Sequence, residues 1–133
     1  MSKRKRKSRE SGWSIAKGKT TERTNEQRLD DMLQFATDIT AWSRMAPRNA
    51  LDAAVTRDAT LYKLGIIGAA AVGMTEAFRA GRPSIPWEHA IAMLEFVGKP
   101  DRLLDHDAVK RALRETVPVL LRELTKLKTN ETR

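Results

Sequence analysis

With 133 residues, about two-fifths of them apolar, the chain is long enough to close one compact core and too short to divide into two ordinary domains. It has no cysteine, which excludes a disulfide framework, a thiolate metal site and a cysteine nucleophile. Its formal charge of +8 is concentrated at one end: Lys3, Arg4, Lys5, Arg6, Lys7, Arg9, Lys17, Lys19 and Arg23 face only Glu10 and Glu22, leaving about +1 for everything after residue 23.

Residues 1–23 have too little apolar content to offset their own ordering entropy, so they read as a disordered basic tail ahead of a folded domain at 24–133. Such a tail can hold phosphate backbones without sequence preference. The run "KRKRK" equally fits a nuclear-import signal, and a solvated tail with no partner remains open beside both. Trp13 is the tail's one aromatic and could stack on a base. The charges at the N-terminus do not fit a signal peptide, and no apolar run approaches the length of a membrane span. The chain reads as a soluble protein of the cytoplasm.

From Asn25, "NEQRLDDMLQFATDITAWSRM" sets Leu29, Met32, Leu33, Ala36, Ile39 and Trp42 at steps of three and four, with Asn25 placed to cap the first turn and Pro47 to end the element. A second helix is expected over 57–81. Leu61, Leu64, Ile67, Ala71, Met74 and Phe78 form one face, and Gly81 stands as its stop. Gly65, Gly68 and Gly73 lie within it beside Ala69, Ala70 and Ala71. They cost propensity but admit another backbone at close range, and their mid-helix position argues against a phosphate-binding loop.

Pro86 then opens "PWEHAIAMLEF" as a first-turn proline, and Gly98 and Pro100 close it. The last element starts at Asp105 or Asp107 and directs Val109, Leu113, Val117, Leu120, Leu121 and Leu124 to one side, with Pro118 expected to kink or divide it. Nothing alternates with period two for long enough to make a strand. The fold class is all-α, a bundle of four to five helices.

"RLDDMLQFATDITAW", "RDATLYKLGIIGAAA", "IPWEHAIAM", "RLLDHDAVKRAL" and "VPVLLREL" resemble, in order and spacing over about residues 24–125, the HepT-like proteins of the HEPN superfamily. The resemblance implies a HEPN-like helical bundle that forms homodimers. Its members are typically metal-independent ribonuclease toxins encoded beside a minimal nucleotidyltransferase antitoxin, which silences the toxin by adding AMP units to a tyrosine. In that family the "IPW" helix is followed by Met-Arg-Asn, three intervening residues, His, one intervening residue and Tyr. The Arg and His of two subunits face a shared cleft, where His acts as acid or base and Arg stabilises charge on the phosphate.

Here Met93 and Asp105 hold the register, but Leu94 stands for the Arg, Glu95 for the Asn, Lys99 for the His and Asp101 for the Tyr. Ala69 stands where the family's "GEA" stretch carries an acid. Leucine has no donor, lysine near its ordinary pKa of ~10.4 is a poor proton shuttle at neutral pH, and an aspartate has no phenol to modify. The resemblance therefore implies a catalytically inactive member that works by binding to a partner or to RNA.

The rival reading is an active RNase whose Arg/His pair has moved, to Arg82 with His89 or to Arg102 with His106. His106 between Asp105 and Asp107 also fits an ordinary helix start. Those three consecutive residues cannot converge on one ion, so neither a metal nor a cofactor is expected.

Overall fold

The computed structural model describes residues 23–131, so every tail position named above except Arg23 lies outside the described residues. All regular structure among them is helical: α1 (Asn25–Trp42), α2 (Ala50–Gly73), α3 (Glu76–Ala80), α4 (Trp87–Ala92), α5 (His106–Arg111) and α6 (Val117–Glu131). Two 3₁₀ turns, at Met93–Phe96 and Asp101–Leu103, lie between α4 and α5, and a π turn at Ala112–Thr116 joins α5 to α6. The class is all-α. No helix among the described residues is long and apolar enough to cross a membrane.

Several boundaries differ from the expectation, each for a local reason. Thr24, not Asn25, caps α1: its hydroxyl accepts from the Gln27 N–H at 3.0 Å while the Gln27 side chain accepts from the Thr24 N–H at 2.9 Å. Asn25 reaches sideways instead. Its Oδ1 accepts from the Thr75 N–H at 3.2 Å and its Nδ2 donates to the Thr75 hydroxyl at 3.4 Å, tying the start of α1 to the end of α2.

The second helix begins at Ala50 rather than 57. The Asn49 side chain accepts from the Asp52 N–H at 2.7 Å, and the Asp52 carboxylate accepts from the Arg48 N–H at 3.0 Å, so Pro47 and Asn49 end one element and start the next. The helix does not run to Gly81. Met74 is extended (φ −80°, ψ 154°), and Thr75 caps the separate helix α3, which places Phe78 there. Gly81 does end α3, but with φ −77°, a conformation that needs no glycine.

Pro86 precedes the first helical residue of α4, and after Ala92 the helix tightens into the 3₁₀ turn that Gly98 ends at φ +80°. Asp105 is the cap of α5, accepting from the Ala108 N–H at 3.0 Å. Pro118 neither breaks nor divides the last segment. Its missing N–H is absorbed by a widened turn just before it, in which the Val117 N–H donates to the Ala112 carbonyl five residues back.

Helix α2 is the centre of the molecule: one side packs on α1, the other on α4 and its 3₁₀ turn, while α1 also packs on α6. Leu29, Met32, Ala36 and Ile39 of α1 meet Leu64, Ile67, Ala70 and Ala71 of α2 and Val117, Leu120 and Leu124 at the C-terminal end in one core. Trp87 and Phe78 pack against its edge. On the side facing α4, a Cβ on Gly65 would strike the Val97 side chain, and one on Gly68 would lie 2.5 Å from the Leu94 nitrogen. Gly68 thus admits another segment's backbone, as its sequence position implies, whereas Gly65 makes room for a side chain.

Charged seams run outside the core. Asp38 accepts from Lys63 at 2.8 Å, and the Lys63 ammonium lies 4.4 Å from the Phe35 ring centre and 5.5 Å from that of Trp42. The Lys63 hydrogen bond holds the Asp38 carboxyl below its ordinary value of 3.8, against the opposing effect of burial. Lys128 pairs with Asp30 at 2.7 Å, which raises its pKa above 10.5.

A lowered carboxyl pKa contributes stability that is complete above the unfolded value and lost as pH falls through the folded one. A raised lysine pKa contributes stability that is lost as pH rises through its folded value. The urea midpoint is therefore expected to hold through the neutral range and to fall below about pH 4 and above about pH 10.5. Asp38→Asn should flatten the acid limb and Lys128→Gln the alkaline one. If neither limb changes in its variant, these pairs do not carry the linkage.

Candidate functional site

Between Arg82 and Asp105 the chain is fixed at several points. The Trp87 indole N–H donates to the Arg82 carbonyl at 3.0 Å, Ile85 and Ala90 are buried, and the backbone at Leu94 lies on Gly68. This anchoring splits the segment's side chains between two surfaces. Leu94 and Val97 lie toward α2 and remain partly exposed. His89, Met93 and Phe96 line a groove of about 330 Å³ against α5 and the π turn.

The positions singled out by the sequence pattern are thereby separated. Leu94 joins an apolar face, whereas Glu95 and Lys99 line the groove and hold each other at 3.4 Å. Asp101 lies across from His106, whose Nε2 is 3.3 Å from the Asp101 carbonyl and 3.6 Å from its carboxylate. Ala69 is on α2, one residue after the contact at Gly68.

Of the alternative pairs, Arg82 and His89 are not brought to one surface. Arg82 is tied into the fold: it donates to the Phe78 carbonyl at 3.2 Å, stacks 3.5 Å over the Phe78 ring centre, and reaches Glu131 at 3.3 Å and Glu26 at 3.9 Å. It lies outside the groove that His89 lines. Arg102 and His106 are both exposed, and only His106 has the Asp101 contact described above.

The groove that His89 lines is also lined by Arg111, on the last turn of α5, and by Lys99 and Thr116. Arg111 is 22 positions from His89, and no local spacing pointed to it; only the return of the chain past Gly98 and Leu104 brings it there. Asp105 also lines the groove, though its carboxylate is engaged in capping α5. The groove thus presents an imidazole and two cations, opposed by two carboxylates that already have partners. Such a set can orient an anionic group. No family model matches the chain. Comparison with curated proteins and with solved structures found no match either.

Two further surfaces are apolar. Along α2, Leu51, Val55, Tyr62 and Val72 are exposed at alternating steps of three and four residues when Asp58, Gly65 and Ala69 are counted between them, with Leu94 and Val97 filling the glycine gap. This is heptad spacing over three heptads, interrupted by the exposed carboxylate of Asp58, the pattern of a helix face that packs on another helix. Beside its start a groove of about 780 Å³ opens between Trp42, Met45, Pro47, Val55, Val109 and Leu113. Among the described residues no cluster of three acidic or histidine side chains is arranged to hold a metal ion.

Proposed function

We propose that this chain is a HepT-like, HEPN-type helical protein that acts as a homodimer in the cytoplasm through occupancy rather than turnover. On this reading it belongs to a toxin–antitoxin type pair with a minimal nucleotidyltransferase-type partner and contacts RNA through its basic tail. The observation that carries the reading is Leu94. At the position where the resemblance calls for a phosphate-clamping Arg, an uncharged side chain extends the exposed apolar face of Leu51, Val55, Tyr62, Val72 and Val97. A surface of that kind favours protein contact and offers nothing to a phosphate.

The test has two parts. Light scattering should give a dimer for the natural chain and a monomer for Tyr62→Asp, because a second carboxylate one turn from Asp58 on the same face would be repelled by it and left unpaired on association. Purified protein without metal should leave cellular RNA intact, whereas the chain carrying Leu94→Arg, Glu95→Asn, Lys99→His and Asp101→Tyr should cut it. A monomeric natural chain would sink the dimer.

A second reading has one observation in its favour: His89, Lys99 and Arg111 share a groove. There His89 would take the proton from a ribose 2′-hydroxyl as that oxygen bonds to phosphorus and the P–O5′ bond breaks, the departing 5′ oxygen taking a proton from solvent, while Arg111 and Lys99 stabilised charge on the phosphate, giving a metal-independent RNase with a displaced site. Cleavage by the natural chain that His89→Ala abolishes would establish this reading and overturn the first.

A further inference from the structure

Where the ends of α1 and α6 meet, opposite the seam of Glu26, Lys128 and Glu131, a third groove of about 550 Å³ lies between Thr40 and Arg44 on one side and Pro118, Leu121, Arg122, Thr125 and Lys126 on the other. Its two threonine hydroxyls are already spent, donating to the Ala36 and Leu121 carbonyls at 2.8 and 2.6 Å. What the groove offers a ligand is therefore positive charge over an apolar floor. Arg44 stands in the turn after α1 with no acidic partner among the described residues.

Among the described residues Glu123 is the only carboxylate paired with the groove's cations. It accepts from Arg122 Nε at 3.0 Å and from Lys126 Nζ at 3.5 Å, and the Arg122 hydrogen bond holds its pKa below the ordinary range. It offsets one of three charges and leaves the two terminal nitrogens of Arg122 open.

We infer that this groove, through Arg44, Arg122 and Lys126, binds the phosphodiester backbone of a single-stranded nucleic acid. Glu123, through one oxygen, already fills the single-anion position between Arg122 Nε and Lys126 Nζ, so the charge left open lies on two walls of the groove, Arg44 on one and the terminal guanidinium nitrogens of Arg122 on the other, which suits successive phosphates of a strand. The floor of Pro118 and Leu121 accepts sugar and base edges and has no use for a bare anion. With no free hydrogen-bond donor other than the cations, the groove grips the backbone without reading sequence. The inference does not depend on the dimer or on the state of the nuclease positions, since none of its residues belongs to either.

The test measures anisotropy of a fluorescein-labelled oligouridylate on the full chain, with salt varied between about 50 and 200 mM. Removing Arg44, Arg122 and Lys126 together as glutamines should lower the slope of log affinity against log salt by about 2, because each single-strand phosphate contact contributes about 0.7. Arg44→Gln alone, in a turn where folding is not at stake, should lower it by about 0.7. Arg48→Gln with Arg57→Gln, which removes two exposed charges elsewhere, should leave it unchanged. Equal slopes in the triple variant and the natural chain, or an equal loss in the Arg48 and Arg57 control, would overturn the assignment. So would displacement of the oligonucleotide by inorganic phosphate beyond the effect of ionic strength, which would mean a site for the free anion.

Discussion

Leu64→Ala is expected to cost about 3 kcal/mol, within the range of about 2–5 for fully buried leucines. For a domain of this size that lowers the melting temperature by roughly 15 °C. Leu64 has no exposed surface and sits among Leu29, Met32, Ile67 and Leu120. The helix cannot shift to close the resulting cavity, because Gly68, one turn further along the same face, is held against the Leu94 backbone. Leu103→Ala, in an exposed turn, should change stability by less than about 0.5 kcal/mol. Thermal unfolding followed by circular dichroism separates the two, and similar midpoints for both would mean that the α1–α2 core is not where stability resides.

The spacing that identifies Leu64 as core is the same signal that makes the all-α class readable. Apolar residues at three- and four-residue steps mark α1, α2 and α6 because each of these helices buries a stripe along most of its length. Where that stripe is missing, the boundary is lost. The first turns of α2 carry Leu51 and Val55 on an exposed face, so the sequence pattern puts its start at 57, while the local signal of Asn49 and Asp52 puts it at Ala50. The break at Met74 is invisible to periodicity for the opposite reason. Met74 and Phe78 continue the apolar pattern, but Thr75 caps a new helix and Asn25, fifty residues away, fixes it there.

The candidate site shows the same division. Leu94, Glu95, Lys99 and Asp101 are consecutive enough to be read together, yet a 3₁₀ turn and the left-handed Gly98 send them to different surfaces. The groove shared by His89 and Arg111, and that shared by Arg44 and Arg122, each joins segments far apart in the chain. Only the antiparallel packing of α1 on α6 and the return of α5 past α4 produce them. Charge at a residue is legible from sequence; which cations share a groove is a property of the tertiary fold.

Gly68→Ala is expected to destabilise by about 2 kcal/mol although alanine is the better helix former by about 1. The added methyl would lie 2.5 Å from the Leu94 nitrogen, 2.9 Å from its Cα and 3.0 Å from the Ala90 carbonyl oxygen. All three are backbone atoms, so no rotamer change relieves the contact, and α4 with its 3₁₀ turn must move off α2. Gly73→Ala gives the contrast: its methyl would meet the far end of the Arg28 side chain, which can swing away, and the net change should stay within about 0.5 kcal/mol. Urea unfolding with unchanged m-value is the appropriate measurement. The displacement reaches function as well, because the segment that moves carries Leu94 on the apolar face and Glu95 and Lys99 in the groove. Gly68→Ala should therefore weaken self-association, and added to the fourfold restored chain it should reduce RNA cleavage, even at temperatures where the domain stays folded. A Gly68→Ala chain as stable and as dimeric as the natural one would show that α4 is not seated on α2 tightly enough to position either surface.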